Sequence, residues 1–403
     1  MSNSRRIACL FLLACVFVLD GYDLNAMPLS VPHLQTSLGL VPAEFGVVFP
    51  AVLVGRGGGA ALLAPLGARV GRKRVIVAGA LAVAAATIGT AMATTITEFL
   101  IWRLATGAGL GAILPNCSAM SAELAPGATR ARVMTLVSAG IPVGAMAAGL
   151  TAPEVVAIGG WHGLFLLPGV FGLLLALALA LVLPAQIGGE AAREPPAGKV
   201  PQLALFERPW ILPFAVYTAC LTLNAIGLYM LSQWAPTILP QAGFALDEAA
   251  RLTGLLQGAG FAFGLALSWL IDRWKPAIAM GAGFAIIAAG FLAIGLLRPD
   301  PATWTALLLI AGGGVTGISM ALNALVPSLM PSHLFSSTIG MGVLIARIGA
   351  IAGPMLGQAL LAAGAAPATF FLVLFVPAGL CMLCCLALPK ALAIRRAYAP
   401  PAA

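Results

Sequence analysis

Five ionisable side chains interrupt long apolar runs in this chain: Asp20, Asp23, Arg56, Arg103 and Arg347. Charge is costly in an apolar medium, so residues of this kind usually serve a function. Asp20 and Asp23 are three residues apart, which puts both on one face of a helix. Two close carboxylates cannot cheaply both ionise, so one is expected to hold a proton in the working pH range. A reversible proton carrier needs that property. Arg56 precedes the Gly67–Arg69 turn by 11 to 13 residues, which places it roughly 15–20 Å along a helix from that end. Its planar fork can grip both oxygens of a carboxylate, and it stays charged at any working pH. Gly57, Gly58 and Gly59 follow it and are expected to leave room for a ligand. The alternative is a permanent ion pair with Asp20 or Asp23.

The other charges carry competing readings. Arg347 lies about nine residues into its run and so near mid-depth. It could bind an anion or tie helices together through backbone carbonyls. Arg103 falls near the outer end of its run and could snorkel to the interface. Asp20 or Asp23 could cap a helix break near Gly21. Uncharged polar residues add a possible lining: Tyr22, Asn116, Asn224, Tyr229, Gln233, Trp234, Gln257, Ser319 and Asn323. Of these, Tyr22, Asn116, Asn224, Tyr229, Gln257 and Asn323, with Arg56 and Arg347, are the expected substrate contacts. Trp234 fits better as an interfacial anchor, because amphipathic aromatics collect at helix ends.

The elements that position these residues must lie in lipid. Hydrophobic residues make up 61% of the chain and charged ones 8%, against about 25% charged in a soluble domain. So few charges cannot cover a water-exposed surface, whereas a bilayer is itself an apolar solvent. A hydrocarbon core of about 30 Å takes about 20 helical residues. Runs of that length fall at 7–31, 43–66, 74–95, 98–122, 133–153, 162–183, 210–234, 250–271, 276–297, 302–326, 338–362 and 368–388. The fold expected is therefore an all-α membrane protein of twelve spans. The basic start and apolar run 7–19 resemble a signal peptide, but the run continues through Asp20 and Asp23 without a convincing cleavage site. It reads as an uncleaved first helix.

Basic residues set the orientation. With the N-terminus inside, the cytoplasmic segments hold Arg5, Arg6, Arg69, Arg72, Lys73, Arg74, Arg130, Arg132, Arg193, Lys199, Arg208, Arg273, Lys275, Lys390, Arg395 and Arg396, against Arg251 and Arg298 outside. Both termini are expected in the cytoplasm. The charged, Pro-rich and Gly-rich stretch 184–209 divides a six-helix bundle over 1–183 from another over 210–403. GARVGRK after the second span and IDRWKP after the eighth form a weak internal echo.

Four stretches carry a resemblance that runs over nearly the whole chain: DGYD in the first span, WRLATGAGLGAILPN and SAELAP in and after the fourth, LYMLSQWAP in the seventh, and ARIGAIAGPMLG in the eleventh. The chain resembles the major facilitator superfamily and, within it, the aromatic acid:proton symporters, most of all the 3-(3-hydroxyphenyl)propionate transporters. The resemblance implies import of an aromatic carboxylate with a proton by alternating access. It assigns coupling to Asp20 and Asp23 and an essential role to Arg103. The superfamily's loop after the second span carries a Gly and an Asp where this chain has Ala64 and Ala68, while Arg69, Gly71, Arg72 and Lys73 remain. The missing Asp normally helps lock the cytoplasmic gate. Gating is therefore expected to rest on Arg69 or Arg72 with Glu123, and on Asp272 and Arg273 in the second half.

Other functions fit less well. Three intramembrane arginines against two aspartates would also suit a nonaromatic carboxylate or dicarboxylate, and proton-antiport efflux uses the same fold. An enzyme is not expected: no nucleophile–base pair or metal cluster is visible, and GRGGGA lacks the Lys-Ser/Thr of a phosphate loop. His33, His162 and His333 fall at run ends or loops. Cys381, Cys384 and Cys385 have no His or carboxylate beside them and read as helix-packing residues, like Cys9, Cys15, Cys117 and Cys220. The net charge of +8 is spread over short loops without aromatic interleaving, which argues against nucleic acid. The expected partners are a small aromatic carboxylate, protons and the lipid bilayer of a bacterial-type inner membrane. A monomer with no cofactor or metal is expected.

Overall fold

The computed structural model describes residues 2–125, 130–184, 203–297, 300–331 and 334–398, and these are helical with no strand among them. Most of the expected linker, 185–202, lies outside the described residues, as do Arg298 and His333. Among the described residues, eleven stretches are long and apolar enough to cross a membrane. The count falls one short of twelve because the expected fifth and sixth spans run together over Arg132–Val182. Within that stretch the helix Gly140–Val182 holds Gly160 at φ 60°, ψ −167°, a conformation available to glycine alone. At 1.5 Å per residue its 43 residues would reach about 65 Å, twice the hydrocarbon thickness. The backbone break divides it into two spans.

The chain forms two compact units, Met1–Glu194 with Leu246–Gly254, and Pro195–Ala245 with Leu255–Ala403. The first turns of the helix after residue 245 thus pack with the first unit.

The first unit contains α1 (Asn3–Leu38), α2 (Val48–Leu62), α3 (Leu66–Val70), α4 (Arg72–Ala91), α5 (Ile96–Leu124), α6 (Arg130–Ser138) and α7 (Gly140–Val182). Small residues bring its helices into backbone contact, the usual device where lipid removes the hydrophobic drive between helices. A Cβ on Gly21 of α1 would lie 1.9 Å from the Ile141 carbonyl oxygen of α7, and one on Gly144 1.9 Å from that of Val18. On α5, a Cβ on Gly107 or Gly111 would lie 2.2 Å from the carbonyl oxygen of Val52 or Arg56 on α2. The start of α5 is fixed by a capping box, in which Thr95 accepts from the Glu98 backbone and the Glu98 carboxylate accepts from Thr95.

The second unit contains α8 (Ile211–Gln241), most of α9 (Leu246–Arg273), α10 (Pro276–Leu296), α11 (Pro301–Leu329), α12 (Phe335–Ala362), α13 (Pro367–Cys384) and α14 (Leu388–Ala397). Its core includes Phe291, Trp304, Phe370 and Phe371, all fully or nearly buried, with the Trp304 and Phe371 rings edge-on at 5.2 Å. Trp234, expected at an interface, is wholly buried and donates from Nε1 to the Pro354 carbonyl of α12 at 2.9 Å. A buried indole N–H needs an acceptor, and this carbonyl supplies it.

Candidate functional site

Asp20 and Asp23 are both fully buried on α1, one turn apart. Each faces its own arginine, and for Arg56 this is the ion pair named above as the alternative. Asp20 pairs with Arg56 of α2 through Oδ1 and Nη2. Asp23 pairs with Arg103 of α5, with Oδ2 and Nη1 2.9 Å apart. Arg103 also donates from Nη2 to the Asp23 backbone carbonyl at 3.0 Å, and Thr87 of α4 donates its hydroxyl to Asp23 Oδ1 at 3.0 Å. An opposite charge at this range favours the ionised carboxylate. Each aspartate therefore has a cation of a neighbouring helix within reach.

The two pairs differ in surroundings. Arg103 does not snorkel: it is 1% exposed, held inside the unit. Arg56 keeps a side-chain exposure of 12%. Gly57 and Gly58 beside it have open space where a side chain would go. Gly59 does not provide space, because a Cβ there would lie 2.0 Å from the Ala108 carbonyl oxygen. Asp23 is thus clamped from two helices, whereas Asp20 meets an arginine that is partly exposed. The buried Tyr22 lies between the two aspartates in sequence, packed toward α7, where a Cβ on Gly144 would meet its backbone nitrogen at 2.9 Å.

Asn116 has a different place from the one expected. Its amide donates to the Ala64 carbonyl at 3.1 Å and to Ala112 at 2.8 Å, and Gly67 packs on its side chain. It fastens the turn between α2 and α3 rather than joining the Asp–Arg pairs. At the same end of the unit Arg72 pairs with Glu123, while Arg69 makes no ion pair among the described residues and is exposed.

In the second unit, Asn224 of α8 donates to the Val315 carbonyl at 3.1 Å and to the Ser319 hydroxyl of α11 at 2.9 Å. Asn323 accepts from the Tyr217 hydroxyl at 2.9 Å. Tyr229, Gln257 and Arg347 are half-buried, and none makes a side-chain hydrogen bond or ion pair among the described residues. Asp272 is exposed without an ion pair among the described residues, and Arg273 stacks over the Trp269 ring at 4.8 Å instead.

Thr87 and Tyr217 were not anticipated. A mid-span hydroxyl is a weak signal, since a threonine can satisfy itself on its own helix, as Thr90 does on the Ala86 carbonyl.

A transmembrane helix carrying two buried acid–arginine pairs is a transporter's equipment rather than an enzyme's. The family model of the Major Facilitator Superfamily matches residues 12–354. The chain belongs to the major facilitator superfamily. Relatives within this superfamily include a gallate transporter of Pseudomonas putida, 27% identical over 93% of this chain and 91% of its own length. The 3-(3-hydroxy-phenyl)propionate transporter of Escherichia coli is 30% identical over 90% of this chain and 89% of its own. A solved inward-facing bacterial homolog of the human lysosomal transporter Spinster shares the fold at TM-score 0.76 and 19% identity, with full coverage of both chains. This major facilitator protein is thus a multi-pass membrane transporter, and its curated relatives move aromatic acids.

Proposed function

We propose that the chain is a plasma-membrane symporter that imports a hydroxylated aromatic carboxylate together with a proton by alternating access. Gallate and 3-(3-hydroxyphenyl)propionate share a phenolic ring and a carboxylate, and those two features define the substrate class. The observation that carries the reading is the Asp20–Arg56 pair, in which Asp20 is fully buried while Arg56 keeps a side-chain exposure of 12%.

The coupling follows from competition for one guanidinium. A substrate carboxylate entering the span needs a fixed cation and donors, and of the two paired arginines Arg56 is the more exposed. To receive the substrate, Arg56 must leave Asp20. An unpaired carboxylate left buried is costly, so Asp20 takes a proton as Arg56 turns away. Empty, the pair carries one negative and one positive charge. Loaded, it holds a neutral acid, a guanidinium and a carboxylate. The local charge is zero in both states, so each can cross a low-dielectric barrier. A substrate without a proton, or a proton without substrate, leaves a net charge and is disfavoured. Asp23, clamped by Arg103 and Thr87, supplies the fixed end of this arrangement. The charge balance gives one proton per monocarboxylate at this site.

The experiment is uptake of labelled hydroxybenzoates and hydroxyphenylpropionates into proteoliposomes with an imposed inward proton gradient. Accumulation above equilibrium that collapses with a protonophore supports the reading. Equal uptake with and without the gradient, or gradient-driven export, overturns it.

A further inference from the structure

A hollow of about 850 Å³ opens on the first unit where α3 meets α4, well away in sequence from the aspartates. Its rim carries Arg69, Lys73 and Arg74, and its wall includes Val77, Leu81 and Ala180 of α7. None of the three cations makes an ion pair among the described residues, while Arg72 between them is taken by Glu123. Lys73 is held in place by donating from Nζ to the Leu183 carbonyl at 2.7 Å. Arg74 reaches only the Val70 carbonyl, at 3.5 Å. Donors on all three remain available. Ala68 also lines the hollow, so the position that carries an acid in the superfamily pattern contributes no negative charge here.

The wall tells what kind of anion fits. From Lys73 to Leu81 is eight residues of α4, a descent of about 12 Å inside the candidate span Arg72–Ala91. Leu81, at its foot, is 46% exposed. A free phosphate would engage the rim and leave the wall unused. A molecule with an anionic head and a hydrocarbon tail satisfies both. Clustered basic residues at the end of a span attract anionic headgroups.

We propose that this hollow is a binding site for an anionic glycerophospholipid, its phosphate on Arg69, Lys73 and Arg74 and one acyl chain along Val77, Leu81 and Ala180. The site is separate from the substrate reading and does not depend on it.

The test measures lipid retention by native mass spectrometry and thermal unfolding of the full-length protein with phosphatidylglycerol, phosphatidylcholine or sodium phosphate. Two variants probe the two halves of the site. Arg69→Gln/Arg74→Gln removes rim charge while keeping the Lys73 anchor, and Ala78→Trp fills the wall with the rim intact. Arg130→Gln/Arg132→Gln removes the same charge elsewhere on the unit. The proposal expects several-fold preference for phosphatidylglycerol over phosphatidylcholine, lost in both site variants and kept in the control. Equal retention of the two lipids, or loss matched by the control, overturns it. So does stabilisation by sodium phosphate that equals that of the lipid and survives Ala78→Trp, which would make the hollow a free-anion site. If the double variant does not fold, the Ala78→Trp comparison alone decides between lipid and phosphate.

Discussion

Arg103 holds Asp23 twice, with Nη1 2.9 Å from the carboxylate and Nη2 donating 3.0 Å to the backbone carbonyl of the same residue. One guanidinium thereby fixes both the side chain and the main chain of α1 at that level. Removing one partner of such a buried pair leaves an uncompensated charge, at about 3–5 kcal/mol. Asp23→Asn is therefore expected to lower thermal stability markedly, and Arg103→Lys by less, because Lys keeps the charge but loses the second prong. Unfolding of the purified variants followed by tryptophan fluorescence measures this. A melting curve for Asp23→Asn that overlays the wild type would contradict the clamp.

Asp20 behaves differently if Arg56 is shared with substrate. In the wild type, binding needs a proton on Asp20, so affinity should fall as pH rises, by up to about tenfold per pH unit for one linked proton. Asp20→Asn mimics the protonated form. Its affinity should be high and flat with pH, with exchange retained and uphill uptake lost. Calorimetric titrations across the pH range above ionisation of the substrate carboxylate decide it. A pH-dependent Asp20→Asn, with the same slope as the wild type, would place the proton elsewhere.

Arg56→Lys separates bidentate binding from simple charge pairing. Substrate affinity should weaken by about 1–3 kcal/mol, the scale of a charged hydrogen bond. Unchanged affinity in both Arg56→Lys and Arg56→Gln would remove Arg56 from the binding site.

The glycines around Arg56 should divide into two classes. A Cβ on Gly111 would lie 2.2 Å from the Arg56 carbonyl oxygen, against backbone that cannot move aside cheaply. Gly111→Ala is expected to destabilise by about 1–3 kcal/mol or more. Gly58→Ala meets nothing, so folding should be unaffected while room for the ligand shrinks. Comparing melting temperature with substrate affinity for the two variants tests this; a Gly111→Ala protein of wild-type stability would show that the contact is slack.

At the end of the bundle bearing Ala68, Arg72 relies on Glu123 for its ion pair. Ala68→Asp offers Arg69 or Arg72 a second acid. The resting population should move toward the outward-facing form, readable as spin-label distances across the cytoplasmic side. No change, or a shift inward, would count against a gating role for this loop.

The sequence marked the charged residues within the spans and offered Asp20 or Asp23 as a partner for Arg56, but it did not fix which acid each arginine meets. Counting residues put Arg56 near mid-depth, but which acid it meets depends on how α1 and α2 are rotated about their axes. Periodicity carries little of that information when lipid and core are both apolar, as on α1. Arg103 shows the same limit. Its closeness to the start of α5 suggested snorkelling, whereas the long α1 carries Asp23 to the same level and holds it inside. Asn116 and Trp234 were misplaced because polar atoms inside a bundle often bond main-chain carbonyls, here those of Ala64 and Pro354, and sequence does not show which carbonyl lies within reach. The join at Gly160 was not visible as a continuous helix, since hydropathy reports two spans and says nothing of the residues that link them.

The close backbone approaches in the first unit have a mechanical meaning. Gly21 and Gly144 weld α1 to α7, and Gly107 and Gly111 weld α5 to α2. Each welded pair behaves as a stiff plank with little freedom to bend or slide internally. The acid–arginine pairs run between planks: Asp20 and Asp23 belong to one, Arg56 and Arg103 to the other. They act as two rivets along one seam. On the proposed mechanism, protonating Asp20 withdraws one rivet and leaves the other as a pivot, so the expected motion of the planks is a small rotation about Asp23 rather than a parting.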